Sequence, residues 1–344
     1  MKRLIYINFL ILGVLLFSTS CNNNNVEKKE TTSDTTKLDS LSISALTLRI
    51  RKEPTNASLF NKRADLYFQE LKIDSAISDI KIALRLDSTV TDYYVKYAEF
   101  SMRIGQSLEA KNTLERCIRN IPNNTDAMLK LAELHLYVQQ YKQSIEFLKK
   151  VQEINSSIPN IYFIRSMVLL ETGDTANAVD QLQITIEKEP RFYNAYILLG
   201  NLYSIKPDSI AISYYNNAIK LVPNSIEAHY NLGMYYQNNK RLDDAIKIYQ
   251  RMIDTIAPAY PNSYYNIGYI HLEYKKDYKK ALELFQKAFK ADPQYIEALY
   301  NSGVCFEKMK EYAKARNIYN ECLKMKTNYE LAINGLNRLD KIQK

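Results

Sequence analysis

AYILLGNLY (Ala195–Tyr203) decides the fold: an aliphatic run carries a glycine at 200 and a tyrosine three residues later. Gly200 belongs to a column of small residues, Ala64, Ala98, Ala132, Ser166, Gly200, Gly233, Gly268 and Gly303. A second column keeps the same beat: Ala76, Ala110, Ser144, Ala178, Ala211, Ala245, Ala281 and Ala315, spaced by 33 to 36 residues. A small residue recurring at this period marks a stacked helical-hairpin unit. Two small side chains per unit let two antiparallel helices approach closely. Large residues follow the first column by three (Tyr67, Tyr203, Tyr236, Phe306) and the second by four (Ile80, Leu114, Leu148, Leu182, Tyr249, Phe285, Tyr319). Units close on Pro122, Pro190, Pro223 and Pro293, or on Ser88, Ser156 and Thr327. Proline lacks the N–H and clashes with the preceding turn, so it cannot continue a helix.

This pattern, seen again in YYNIGY (Tyr264–Tyr269), resembles the tetratricopeptide repeat over about residues 57–327, eight units. The resemblance implies an all-α, right-handed solenoid of about eight helical hairpins with terminal capping helices. Residues 41–56 are expected to form a lone second helix, a half-repeat covering the N-terminal end. Residues 328–344 are expected to form the C-terminal cap, with Ala332, Leu336, Leu339 and Ile342 on one stripe. Arg63 and Arg165 occupy a usual Leu position, which predicts looser packing in repeats one and four. Repeat five loses a residue in the turn Lys206-Pro207-Asp208-Ser209. The junction Pro258-Ala259-Tyr260-Pro261 gains one, and the turn near Lys275-Lys276-Asp277 another.

At 344 residues the chain could hold two domains, but the repetition argues for one elongated array in which each unit buries its faces against its neighbours. The N-terminus carries a second signal. Met1-Lys2-Arg3 precedes an apolar run over Leu4–Phe17, then Ser18-Thr19-Ser20 and Cys21. The run is short for a bilayer span and suits a signal peptide over 1–20. Small residues directly before a cysteine resemble a bacterial lipoprotein cleavage site, although Ser18 stands where Leu is usual. The resemblance implies acylation of Cys21 and lipid anchoring in the cell envelope, with the outer membrane as the expected address. Residues 21–40 lack apolar content and read as a flexible tether. Of the other cysteines, Cys305 and Cys322 are offset in height along their hairpin, so buried free thiols are expected there and at Cys117.

Residues 57–190 carry a net charge of −2 and residues 191–344 of +7. The basic half could meet anionic lipid, an acidic polymer or an acidic protein. Export of the chain argues against nucleic acid. His135, His229 and His271 fall in separate repeats and in the interhelical register, without metal-ligand spacing. No phosphate loop, nucleophile elbow or cysteine–histidine pair is present, so neither enzyme activity, cofactor nor metal is expected.

By resemblance, positions 2, 5, 9 and 12 of each unit line a concave groove. Position 9 supplies Asp65, Glu99 and Glu133 in the first three repeats, with Asp92 and Asp126 beside them at position 2. Position 5 supplies Tyr230, Tyr265 and Tyr300 in the last three, with Tyr269 at position 9. The expectation is an acidic strip and a tyrosine strip that bind envelope proteins or peptides, since aromatic rings offer large rigid contact area. The function expected is a scaffold or adaptor. The alternatives are a glycan- or cell-wall-binding module and a pilotin-like assembly factor. Seven of 17 aspartates precede Ser or Thr and then an aliphatic residue or Thr. These triplets resemble an O-glycosylation sequon at Thr35, Ser40, Ser75, Ser88, Thr175, Ser209 and Thr255; helix capping is the other reading of them.

Overall fold

The computed structural model describes residues 42–205 and 209–342. The expected signal peptide, Cys21 and the tether lie outside the described residues. Among those described there are eighteen helices and no strand, in two compact units that divide at Phe192 and Tyr193. The first unit holds α1 (Ile43–Lys52) and four hairpins: α2 (Ala57–Gln69) with α3 (Ile73–Leu86), α4 (Thr91–Arg103) with α5 (Ser107–Asn120), α6 (Thr125–Tyr137) with α7 (Tyr141–Ile154), and α8 (Pro159–Glu171) with α9 (Thr175–Lys188). The second begins with α10 (Tyr193–Tyr203) and α11 (Ile210–Leu221), then α12 (Ile226–Asn238) and α13 (Leu242–Arg251). It continues with α14 (Pro261–Ile270) and α15 (Tyr278–Ala291), then α16 (Ile296–Lys308) and α17 (Tyr312–Met325), and ends on α18 (Glu330–Ile342). In each hairpin the first helix is termed A and the second B. Each A helix packs on its own B helix, and each B helix on the next A helix of its unit.

The turn from A to B repeats one piece of backbone chemistry. Leu71, Gly105, Gln139, Gly173, Lys240, Lys276 and Lys310 all have positive φ, between 54° and 85°. The next amide donates back past this residue to the A helix: Lys72 N to Tyr67 O at 2.8 Å, Gln140 N to His135 O at 2.7 Å, Glu311 N to Phe306 O at 2.9 Å. This closes the helix on a left-handed residue and satisfies a terminal carbonyl. Between repeats, Tyr94, Tyr162 and Tyr264 donate their hydroxyls to the carbonyls of Ser88, Ser156 and Pro258, six residues back, tying each inter-repeat loop to the helix that follows.

The two small columns lie at the A–B crossings and are buried throughout. Their size is matched to the facing residue. In the first unit Ala64, Ala98, Ala132 and Ser166 accompany Ile80, Leu114, Leu148 and Leu182. In the second, Gly200, Gly233, Gly268 and Gly303 face Tyr215, Tyr249, Phe285 and Tyr319. A Cβ at Gly200 would lie 2.5 Å from Tyr215 Cε1, and one at Gly233 would lie 2.5 Å from Tyr249 Cε1. Glycine stands there because the ring occupies the space a methyl would need.

Two expectations are corrected. Arg63 and Arg165 are not left without partners: Arg63 is matched by Asp79 of its own B helix, and Arg165 chiefly by Gln152 of the preceding B helix, α7. Arg63 makes a bidentate pair with Asp79 at 2.6 and 2.8 Å and also donates to Thr47. Arg165 donates to Gln152 at 2.6 Å and lies 3.5 Å from Gln181. The extra residues of the sixth and seventh repeats do not lengthen a loop. They are absorbed in π-helical turns, Met252–Ile256 at the end of α13 and His271–Lys275 at the end of α14. Widening one turn inserts a residue while the helix keeps its hydrogen bonding.

Leu46 of α1 is buried against the first hairpin. At the other end α18 buries Ala332, Gly335 and Leu339, and Arg338 forms a bidentate pair with Glu307 at 2.8 and 2.9 Å. Cys117, Cys305 and Cys322 are buried and free, and burial pushes each thiol up, to about 11, 12 and 12.

Candidate functional site

The A helices present positions 5 and 9 on one face, and the two units fill that face with different chemistry. In the first unit the expected carboxylates are interleaved with lysines from position 6. Lys96 Nζ lies 2.8 Å from Asp65, 3.0 Å from Asp92 and 3.1 Å from the Asn61 carbonyl oxygen. Lys130 Nζ lies 2.9 Å from Glu133. Burial works to deprotonate Lys130, but Glu133 and Glu99 outweigh it and hold its pKa above the ordinary value. Asp65, Glu99 and Glu133 therefore stand in a ladder of alternating charge instead of the bare acidic strip expected from positions 2 and 9. Asp126 is exposed.

In the second unit the position-5 tyrosines each join an aromatic triad. Tyr230 lies between Tyr249 of its own B helix (6.2 Å between centroids) and Tyr260 before the next A helix (5.7 Å). Tyr265 lies between Phe285 (5.5 Å) and Tyr295 (4.9 Å, stacked), and Tyr300 between Tyr319 (5.5 Å) and Tyr329 (5.9 Å). Phe163 and Phe192 of the first unit repeat half of this arrangement at 4.8 Å. The rings thus pack on neighbours within the chain, stacked in the pairs Tyr265–Tyr295 and Tyr300–Tyr319 and tilted or edge-on in the others. All three tyrosines stay half-buried.

Position 6 again supplies the ties. Asn301 donates to the Tyr265 hydroxyl at 3.0 Å, and Asn231 to Asn201 Oδ1 at 3.2 Å. Asn266 stands in the same relation to Tyr230, where burial raises the phenol's pKa and the amide counters it. Tyr269 is half-buried against the cluster of Leu272, Ala281, Phe285 and Cys305, with its phenol pKa raised by burial. Lys96, Lys130, Asn231, Asn266 and Asn301 were not singled out from the sequence. Their signal was available: a polar residue stands at the sixth place of six repeats, Lys62 completing the set.

The histidines serve packing. His135 stacks on Phe147 at 5.6 Å with Nδ1 2.7 Å from Gln140 Oε1. His229 is fully buried, its Nδ1 2.8 Å from the Ser225 carbonyl and its Nε2 without a partner. Among the described residues no cluster of His, Cys, Asp or Glu is arranged to hold a metal ion, and no helix is long and apolar enough to cross a membrane. Of the triplet hydroxyls, Ser75, Ser88, Thr175, Ser209 and Thr255 are all exposed, while Thr35 and Ser40 lie outside the described residues. The capping reading holds at Asp174, which accepts from Asn177 N, and Asp87 instead closes a turn onto Thr89.

Comparison with known proteins agrees with the hairpin geometry. Tetratricopeptide-repeat profiles match residues 224–294 and 262–328, and a further one matches 126–155. Over residues 126–155 and 224–328 the chain thus matches tetratricopeptide repeats. It is similar to the protein O-mannosyl-transferase TMTC3 of Homo sapiens, 24% identical over 299 residues that cover 83% of this chain and 32% of that protein. It is also similar to the mitochondrial import receptor subunit TOM70 of Rattus norvegicus, 22% identical over 78% of this chain and 46% of that protein. The chain thus spans a third to a half of the length of these relatives. The C-terminal part of a TPR repeat-containing protein from Cytophaga hutchinsonii superposes with a TM-score of 0.60 at 17% identity, covering 70% of this chain and 99% of that one. That likeness speaks to the fold.

Proposed function

We propose that this repeat protein is a non-catalytic interaction scaffold, lipid-anchored in a bacterial envelope through Cys21, that takes protein or peptide partners along its A-helix faces. The observation that carries the reading is the wall of the second unit. Tyr230, Tyr265, Tyr269 and Tyr300 stand there half-buried, with Asn231 and Asn301 held between repeats by hydrogen bonds. A rigid wall of phenols and amides can exchange hydrogen bonds with an extended backbone at little ordering cost. TOM70, a relative by sequence, is named as an import receptor subunit, which agrees with a partner-binding role. Because all three rings already pack on aromatic neighbours, Tyr265 stacked on Tyr295 and Tyr300 on Tyr319, the arrangement favours a protein or peptide over a sugar ring lying flat on them.

The test must spare the triads. Truncation to alanine would remove core packing as well as the binding surface. Tyr230→Phe, Tyr265→Phe and Tyr300→Phe combined keep the rings and remove the hydroxyls; Tyr269→Ala opens the wall between them. The combined variant should fold with unchanged circular dichroism and lose partners in an envelope pull-down. Full recovery of every wild-type partner would sink the proposal. The anchor rests on Cys21 and the residues before it. Alkyne fatty-acid labelling should tag the wild type and leave Cys21→Ser unlabelled. Glycosylation at the exposed hydroxyls is part of the same envelope reading, and intact-mass measurement of the chain from its own host checks it.

A further inference from the structure

The B-helix side of the first unit holds a feature that the scaffold reading does not use. A cavity of about 430 Å³ opens between α3 and α5. From α3 it takes Ser78, Lys81 and Arg85, spaced three and four apart and therefore on one helix face. From α5 it takes Arg116 and Asn120. Tyr94 and Tyr97 of α4 form its floor from positions 4 and 7, away from the positions that line the A-helix face.

The floor holds the cations in place. Arg116 lies over the Tyr94 ring at 5.4 Å, and Lys81 Nζ over the Tyr97 ring at 5.2 Å. Tyr94 is fixed in turn, accepting from Asn120 Nδ2 at 2.8 Å and donating to the Ser88 carbonyl at 3.1 Å. The one carboxylate in the wall, Glu109, accepts the Tyr97 hydroxyl proton at 2.7 Å. Among the described residues, none of Lys81, Arg85 and Arg116 forms an ion pair. The contrast with Arg63, Lys96 and Lys130 of the same unit is direct, because each of those is neutralised by a carboxylate.

Lys81 and Arg116, each over a tyrosine ring, and Arg85 beside them stand against one engaged carboxylate, with Ser78 and Ser88 also in the wall, a lining that can receive an oxyanion. The cavity falls in the size range of small-molecule sites, larger than a bare phosphate needs. Arginine and lysine together suit phosphate, the first by its planar fork and the second as a point charge. We propose that this cavity binds a phosphate monoester, with the phosphate among Lys81, Arg85 and Arg116 and the esterified body over the tyrosine floor.

The same group can arrive on a soluble metabolite or on a lipid headgroup, and the test separates these sources. The full-length chain carrying Cys21→Ser, which cannot be acylated, is titrated by calorimetry with glycerol 3-phosphate, and separately sedimented with phosphatidylcholine vesicles with and without phosphatidic acid. The variant is Lys81→Ala with Arg85→Ala and Arg116→Ala. The control, Lys142→Ala with Lys149→Ala and Lys150→Ala, removes the same charge from α7. Saturable binding to either probe that falls at least tenfold in the cavity variant and holds in the control supports the proposal, and the responding probe identifies the source. No saturable binding to either probe, or an equal loss in the control, overturns it. Since the three side chains lie at the surface, circular dichroism should show the variant folded.

Discussion

At Gly233 a single hydrogen decides whether a hairpin closes. The Tyr249 ring fills the place where a Cβ would stand, so Gly233→Ala should cost about 1–3 kcal/mol through overpacking. Chemical denaturation followed by circular dichroism checks this. Tyr249→Leu, added to Gly233→Ala, should restore part of the loss, because alanine opposite leucine is the pairing at Ala98 and Leu114 in the first unit. His229 supplies a second test at the same scale. Burial lowers its pKa, with the Ser225 carbonyl opposing and Arg251 reinforcing the shift. The folded state therefore favours the neutral ring, and the unfolded state binds more protons below about pH 6.5. Its contribution is fully present above the unfolded value and is lost as pH falls toward the depressed one. Protonation would also leave a buried Nε2–H with no acceptor. Thermal melts from pH 8 to pH 5 should show a steeper acid loss for the wild type than for His229→Gln. Parallel curves would mean that His229 does not titrate in this range.

Among the elements, the first hairpin carries a buried charge pair between its two helices. Asp79 is 4% exposed and its carboxylate is held by Arg63. Arg63→Leu alone should cost about 3–5 kcal/mol by stranding that carboxylate. Arg63→Leu with Asp79→Leu should be far milder, since an apolar replacement of a buried pair is often neutral. A double-mutant cycle in urea measures the coupling. The turns offer a gain instead. Leu71 is 75% exposed with φ of 59°, the left-handed region that costs a non-glycine residue roughly 1–2 kcal/mol. Leu71→Gly should raise stability by about 0.5–1 kcal/mol once the entropy of the added glycine is counted.

These elements also mark what could be read in advance. Period and small columns foretold the hairpins, because crossing distance constrains residue size at two places in every unit. The left-handed turn residue was hidden, since only Gly105 and Gly173 advertise it and five other turns use ordinary side chains. The π turns were hidden too: the spacings point to extra residues at Pro258–Pro261 and near Lys275–Asp277, and nothing in the pattern says that the helix ends just before them take these up. At the candidate site, the tyrosine and carboxylate columns were legible as positions. Their partners were not, because Lys96 meets Asp65 and Asn301 meets Tyr265 across 31 and 36 residues.

For the molecule as a whole, stability should distribute over neighbours, as in other repeat arrays. Deleting residues 328–344 removes Arg338 from Glu307 and uncovers the surface on which Ala332 and Leu339 pack. Hydrogen exchange should then quicken in α16 and α17 and stay unchanged in α2 to α5. Loss of protection throughout the first unit would contradict the nearest-neighbour picture. The size matching at the crossings carries a consequence for inheritance as well. An A helix copied from one hairpin to another within its unit meets the partner it was built for. Copied into the other unit, Ala98 would bring a methyl group against a tyrosine ring, or Gly233 would leave a void beside leucine. Crossing that boundary takes two simultaneous changes, so this chain should tolerate recombination among its last four hairpins, or among its first four, and resist exchange between the sets.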